Sequence, residues 1–180
     1  MSDGKDYTGG ATVANRCEID GSEIEKGRCV SMVIRKATVE DVEQLVEVRR
    51  QFQETVKGTR GSEFFAQAVE GYLRKHVPLG TCVVWLAEDN GEIVSCAMLA
   101  LVEELPVLGN LSGRVGFLHN VYTNPRYRRQ GLAQQIVVNC LQSAKEWGAG
   151  RVCLGATEQG RSLYEKLGFK ALNDEMQLDF

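Results

Sequence analysis

No stretch of this sequence is built to cross a membrane. The longest apolar runs, Cys82 to Ala87 and Ile93 to Val102, break off far short of the roughly 20 residues that span a bilayer. The N-terminus lacks the basic and then apolar pattern of a secretory signal. These absences predict a cytoplasmic protein with no membrane partner. Basic residues are not in excess either: 21 Lys and Arg against 24 Asp and Glu leave a formal net charge of −3. Duplex binding usually needs a clustered positive surface, so nucleic acid is not an expected partner.

Metal-ligand spacing is missing too. The cysteines at 17, 29, 82, 96, 140 and 153 form no CxxC pair and have no histidine close by, so no metal site is expected. Cys82, Cys96, Cys140 and Cys153 fall inside apolar segments, where a reduced cysteine packs as a small hydrophobe. No serine or cysteine triad motif is present, and no internal repeat or low-complexity tract. Gly148-Ala149-Gly150 follows a helical pattern instead of a strand and lacks the third glycine of a dinucleotide fingerprint.

What remains is a chain of 180 residues, 43% hydrophobic, enough for one sizeable core. Residues 1–31 carry scattered glycines and charges without an apolar period and read as a disordered N-terminal arm. Met32, at the head of the Val33-Ile34-Arg35-Lys36 strand pattern, is a candidate translation start. The folded domain is expected over 32–180.

Within it, Thr38 and Asp41 match a capping box ahead of a helix over about 39–56. A second amphipathic helix follows Ser62 and stops at Pro78. Cys82 to Ala87 and Glu92 to Val102, joined by Asn90-Gly91, predict an antiparallel hairpin, because Asn-Gly supplies the positive φ angles of a two-residue turn. Arg114 to Thr123 reads as a strand and residues 130–147 as a long amphipathic helix. Arg151 to Ala156 predicts a buried strand, Glu158 to Leu167 a short helix and Glu175 to Phe180 a last strand.

The informative stretch runs from Val121 to Ala133, a strand passing through the basic turn Pro125-Arg126-Tyr127-Arg128-Arg129-Gln130-Gly131 into the long helix. The first N–H groups of a helix have no internal partner and carry the positive end of its dipole, so an anion can dock there. Gly131 lets the backbone approach that anion without a Cβ in the way. A short motif of this kind is weak alone, since a basic helix start can be a solvated surface. Here Leu163-Tyr164-Glu165-Lys166-Leu167-Gly168-Phe169 follows beyond one more strand.

With both segments present in this order, the sequence resembles the GNAT superfamily of acyl-CoA-dependent N-acyltransferases over residues 32–180. The resemblance implies an α/β fold: a central mixed, mostly antiparallel sheet of six to seven strands with a splayed central pair, flanked by about four helices. It implies acetyl-CoA as co-substrate, with Val121, Tyr122 and Thr123 presenting backbone to pantetheine and the acetyl group. Arg128, Arg129, Gln130, Gly131, Leu132 and Ala133 would hold the pyrophosphate, and Thr157, Gly160 and Tyr164 would also contact the cofactor, the tyrosine near the CoA sulfur. Direct attack of an amine on a thioester needs proximity, donors for the oxyanion and an acid for the thiolate, but no enzyme nucleophile.

Tyr164 is the expected general acid, a phenol with reference pKa near 10 donating to a thiolate near 8.5. The sequence departs from the family pattern before it: the strand reads Cys153-Leu154-Gly155-Ala156 where many members carry a glutamate, and Thr157 stands where they carry an asparagine. The general base therefore stays open among Glu103, Glu104, His119 and ordered water. If Glu103 and Glu104 face the cleft, they would steer a cationic amine towards it. The leading reading is acetylation of a small-molecule primary amine in a ternary complex. Transfer to a protein or peptide, and a non-catalytic acetyl-CoA sensor, are the alternatives. Nothing in the sequence specifies or excludes a homodimer.

Overall fold

A computed structural model describes residues 32–172, 176 and 178. The expected arm over 1–31, and most of the strand expected over 175–180, lie outside the described residues. Strand β1 (Met32–Lys36) leads through a 3-10 turn (Val39–Asp41) into α1 (Val42–Lys57), followed by α2 (Glu63–His76). The hairpin is β2 (Cys82–Asp89) and β3 (Glu92–Glu103). Then come β4 (Arg114–Thr123), α3 (Leu132–Trp147), β5 (Arg151–Leu154) and α4 (Glu158–Lys166).

Local chemistry sets several of these boundaries. The capping box forms at the 3-10 turn, where Asp41 Oδ2 accepts from the Thr38 N–H at 2.7 Å and Thr38 Oγ1 accepts from Glu40 at 3.3 Å. Asn90 and Gly91 take φ of 52° and 82°, the paired positive angles that a tight hairpin requires. The long helix starts at Leu132, two residues later than its apolar pattern predicts, because Arg129 and Gly131 adopt φ of 66° and 80°.

Among the described residues the sheet has five strands in the order β1-β2-β3-β4-β5, one fewer than the smallest number expected. All pairings are antiparallel except β4 with β5, which is parallel. Alternation along the strands separates two cores. Val83, Trp85, Ala97, Leu99 and Leu118 pack towards Ile136, Val137, Cys140 and Ala144 of α3. Val84, Leu86, Cys96 and Met98 face Val42, Leu45 and Val48 of α1 and Leu73 of α2. Cys82, Cys96, Cys140 and Cys153 are free thiols, and burial pushes Cys96 and Cys140 up to about 12, so these two stay protonated core residues at neutral pH. No helix among the described residues is long and apolar enough to cross a membrane.

The site is positioned by where β4 and β5 stop pairing. Their register runs from Val115 opposite Arg151 to Leu118 opposite Leu154, and there β5 ends. β4 continues to Thr123, still paired with β3 on its other side. From His119 onward its edge away from β3 is unpaired among the described residues, and the sheet opens into a cleft.

Candidate active site

The cleft encloses about 1100 Å³ between α1, the free part of β4, the start of α3 and the start of α4. Its floor is shaped by a bulge. Cys96 and Met98 of β3 stand opposite Tyr122 and His119, so β4 spends one extra residue over the same span. Asn120 absorbs it at φ 50°, a left-handed angle that asparagine tolerates better than most residues. Its side chain is buried, donating to the Cys96 sulfur at 3.5 Å and accepting from the Arg49 guanidinium at 3.3 Å.

Beyond the bulge the strand is held from behind. Ser95, fully buried, donates to the Tyr122 carbonyl at 2.8 Å and stands 2.8 Å from the Thr123 hydroxyl. The Tyr122 hydroxyl donates to Gln51 on α1 at 3.0 Å, and burial raises its pKa above the usual phenol value. Val121, Tyr122 and Thr123 all line the cleft.

The turn into α3 is fastened at both ends. Asn124 Oδ1 accepts from the Arg126 N–H at 3.1 Å, the Tyr127 hydroxyl donates to Asp89 at 2.7 Å, and Arg128 Nε donates to the Thr123 carbonyl at 3.1 Å. No side chain caps α3, because its N-cap is Gly131. The N–H groups of its first turn are thus left for something else, and Gly131, Leu132, Ala133 and Gln134 line the cleft. With Arg128 and Arg129 beside them, they form a cradle for an anion without a Cβ to block approach. Gln130 is exposed and is not among the lining residues.

The opposite wall comes from β5 and α4. Thr157 caps α4, its hydroxyl accepting from the Gly160 N–H at 3.2 Å. Tyr164 is buried to 9% exposure, packs edge-on against Phe169 at 5.8 Å, and has its pKa raised by burial. The structure thus brings Tyr164, Thr157 and Gly160 to the cleft beside Val121, Tyr122, Thr123, Arg128, Arg129, Gly131, Leu132 and Ala133.

His119 also lines the cleft, its ring stacked on Phe117 at 6.4 Å. Burial, and then the charge of Arg49, hold its pKa below the usual imidazole value. Glu103 and Glu104 are not brought there. Glu103 pairs with Arg114 at 3.3 Å and Glu104 with Arg151 at 2.7 Å, at the end of the sheet where β4 and β5 begin. His119 lies five residues further along β4, roughly 16 Å at strand rise. Neither glutamate is placed to accept a proton in the cleft or to steer a cation into it. Sequence reasoning missed Arg49, Asn120 and Ser95.

Residues 43–169 match the model of the Acetyltransferase (GNAT) family, and the chain belongs to that family. It is 30% identical over 96 residues to glucosamine 6-phosphate N-acetyltransferase of Trypanosoma brucei brucei, a match covering 53% of this chain and 63% of that relative's length. A predicted acetyltransferase from Clostridium acetobutylicum, solved with acetyl-CoA, superposes with a TM-score of 0.76 at 30% identity, covering 82% of this chain and 96% of that one. An aminoglycoside N-acetyltransferase in complex with CoA shares the fold, with a TM-score of 0.68 at 16% identity over 87% of this chain and 99% of the other.

Proposed function

We propose that the chain transfers the acetyl group of acetyl-CoA to a primary amine of a small molecule, by direct attack within a ternary complex. The observation that carries this reading is the cleft itself: a strand edge freed by the parting of β4 from β5, with an uncapped helix start on one side and Tyr164 on the other. The similar structure from Clostridium acetobutylicum holds acetyl-CoA, which supports the choice of donor.

In this reading the pyrophosphate lies on the first-turn N–H groups of α3, with Arg128 and Arg129 supplying charge. The pantetheine arm follows the free edge from Val121 to Thr123, pairing with backbone groups that β5 leaves unmet. The acetyl carbonyl sits at the Asn120 bulge. The amine nitrogen attacks the carbonyl carbon, the N–C bond forms and the C–S bond breaks. His119, held neutral near pH 7 by its lowered pKa, takes the amine proton directly or through a water. Tyr164, whose raised pKa keeps it protonated, gives its proton to the departing sulfur.

Calorimetry with acetyl-CoA, followed by CoA-thiol release against a panel of small amines and peptides, tests the proposal. Binding with release to small amines is the expected result. Binding without release would move the reading to a sensor, release to peptides alone would change the acceptor class, and absence of binding would overturn the donor assignment.

A further inference from the structure

Among the described residues, the side chains lining the cleft include Arg49, Lys57, Arg128, Arg129 and Lys166 but no carboxylate, in a chain whose net charge is −3. Arg128 and Arg129 flank the helix start that receives the donor's phosphates. Arg49 belongs to α1, across the β4 bulge and beside His119.

Arg49 is half-buried and forms no ion pair among the described residues. Its guanidinium stands 5.5 Å from the Phe52 ring centre and 5.8 Å from that of Phe65, and Asn120 is its one hydrogen-bond acceptor among those residues. A guanidinium carries five N–H donors and stays protonated in proteins. Aromatic faces hold its plane by cation–π attraction without consuming those donors. The result is a fixed, partly desolvated fork with unspent donors, to which the described residues of the cleft offer no counter-charge. Such a fork matches the paired oxygens of a carboxylate or phosphate.

Resting on the transferase reading above, we infer that the acceptor is an amine that also carries an anionic carboxylate or phosphate group, docked on Arg49. Polycationic acceptors are disfavoured by the same geometry, since no lining carboxylate among the described residues receives them and the glutamates of β3 are paired elsewhere.

The test uses matched acceptor pairs: amino acids against their amides, and glucosamine 6-phosphate against glucosamine. The expected result is a higher kcat/KM for the anionic member of one set, which also tells carboxylate from phosphate. Arg49→Gln should cut that preference by roughly 30- to 100-fold, the scale of losing charge-assisted hydrogen bonds, and Arg49→Lys should restore part of it. Equal kcat/KM within both pairs would overturn the inference while leaving the transferase reading intact. A raised KM for acetyl-CoA in Arg49→Gln, with the acceptor preference retained, would overturn it by assigning Arg49 to the donor. If no acceptor turns over, calorimetry of the CoA-loaded protein with N-acetyl amino acids and N-acetylglucosamine 6-phosphate against their neutral counterparts still decides. Tighter binding of the anionic member, lost in Arg49→Gln, supports the inference, and indifference to charge sinks it.

Discussion

A Cβ built on Gly160 would come within 3.1 Å of Cε2 of Tyr164 and 3.3 Å of the Thr157 hydroxyl. The bare backbone at position 160 therefore lets the phenol ring lie against the first turn of α4, with Thr157 capping the same turn. Gly160→Ala gains helix propensity of about 1 kcal/mol but makes the ring give by a few tenths of an ångström. Turnover should fall while acetyl-CoA affinity holds. Tyr164→Phe should lower kcat about 100-fold or more, the scale of a lost general acid. The pair is tested by a double-mutant cycle: Gly160→Ala on the Tyr164→Phe background should cost little further rate. Additive losses would show that Gly160 acts by some other route.

His119 offers a pH signature. Its pKa is held down first by burial and then by Arg49, so the imidazole stays neutral into mildly acidic solution. As pH falls, protonation removes the base, and kcat should drop with an apparent pKa below the ordinary value of about 6.5. Replacing Arg49 by Gln removes one of the two lowering influences and should move that limb upward. A kcat with no acid limb anywhere in the range where the protein stays folded would remove His119 from the proton path.

The side of the cleft built from Val121 to Ala133 was legible in the sequence because its pattern is local. The run from Val121 to Ala133 is contiguous, and the ends of a strand and a helix announce themselves through periodicity and turn residues. The side around Arg49 and Asn120 was not. Arg49 and Asn120 meet across 71 residues of separation, and nothing near either one advertises the other. The bulge at Asn120 carries no glycine to mark it. Glu103 and Glu104 read alike whether they face a cleft or a solvated arginine, and only the antiparallel register of β3 with β4 shows that Glu103 meets Arg114. The start of α3 falls at Leu132 and not at 130, because Arg129 adopts a positive φ that its type rarely takes.

Gly131 combines φ of 80° with the N-cap of a helix that no side chain caps. A Cβ there meets no atom of the described residues within 4 Å, so the cost of Gly131→Ala lies in backbone strain, about 1–2 kcal/mol, and in the space a phosphate would use. Gly131→Asn tolerates the left-handed angle better and should recover most of the lost stability. Both variants should bind acetyl-CoA at least about tenfold more weakly in calorimetry, a loss of some 1.4 kcal/mol. Recovery of affinity together with stability in the asparagine variant would mean that the pyrophosphate does not approach this turn.

Far from the cleft, Arg35 joins β1 to the start of α1 and to β2. It donates to Asp41 at 2.8 and 2.7 Å and to Glu88 at 3.1 and 2.6 Å. The Asp41 side chain is 8% exposed and that of Arg35 35% exposed. Removing Arg35 strands a buried carboxylate, which costs about 3–5 kcal/mol in a fully buried pair and, with solvent reaching Arg35, about 2–3 kcal/mol here. The Arg35 hydrogen bonds hold the Asp41 pKa below the usual carboxylate value. The native state thus binds fewer protons than the unfolded chain as pH falls towards 4. This contribution is present above the ordinary carboxylate range and is lost on acidification through the depressed native pKa. Urea unfolding of wild type and Arg35→Ala at neutral pH, and again near pH 3, should show the difference between them shrinking as Asp41 takes up its proton. A gap that stays constant across that range would mean that Arg35 stabilises the fold through packing of its stem and not through its charge on Asp41.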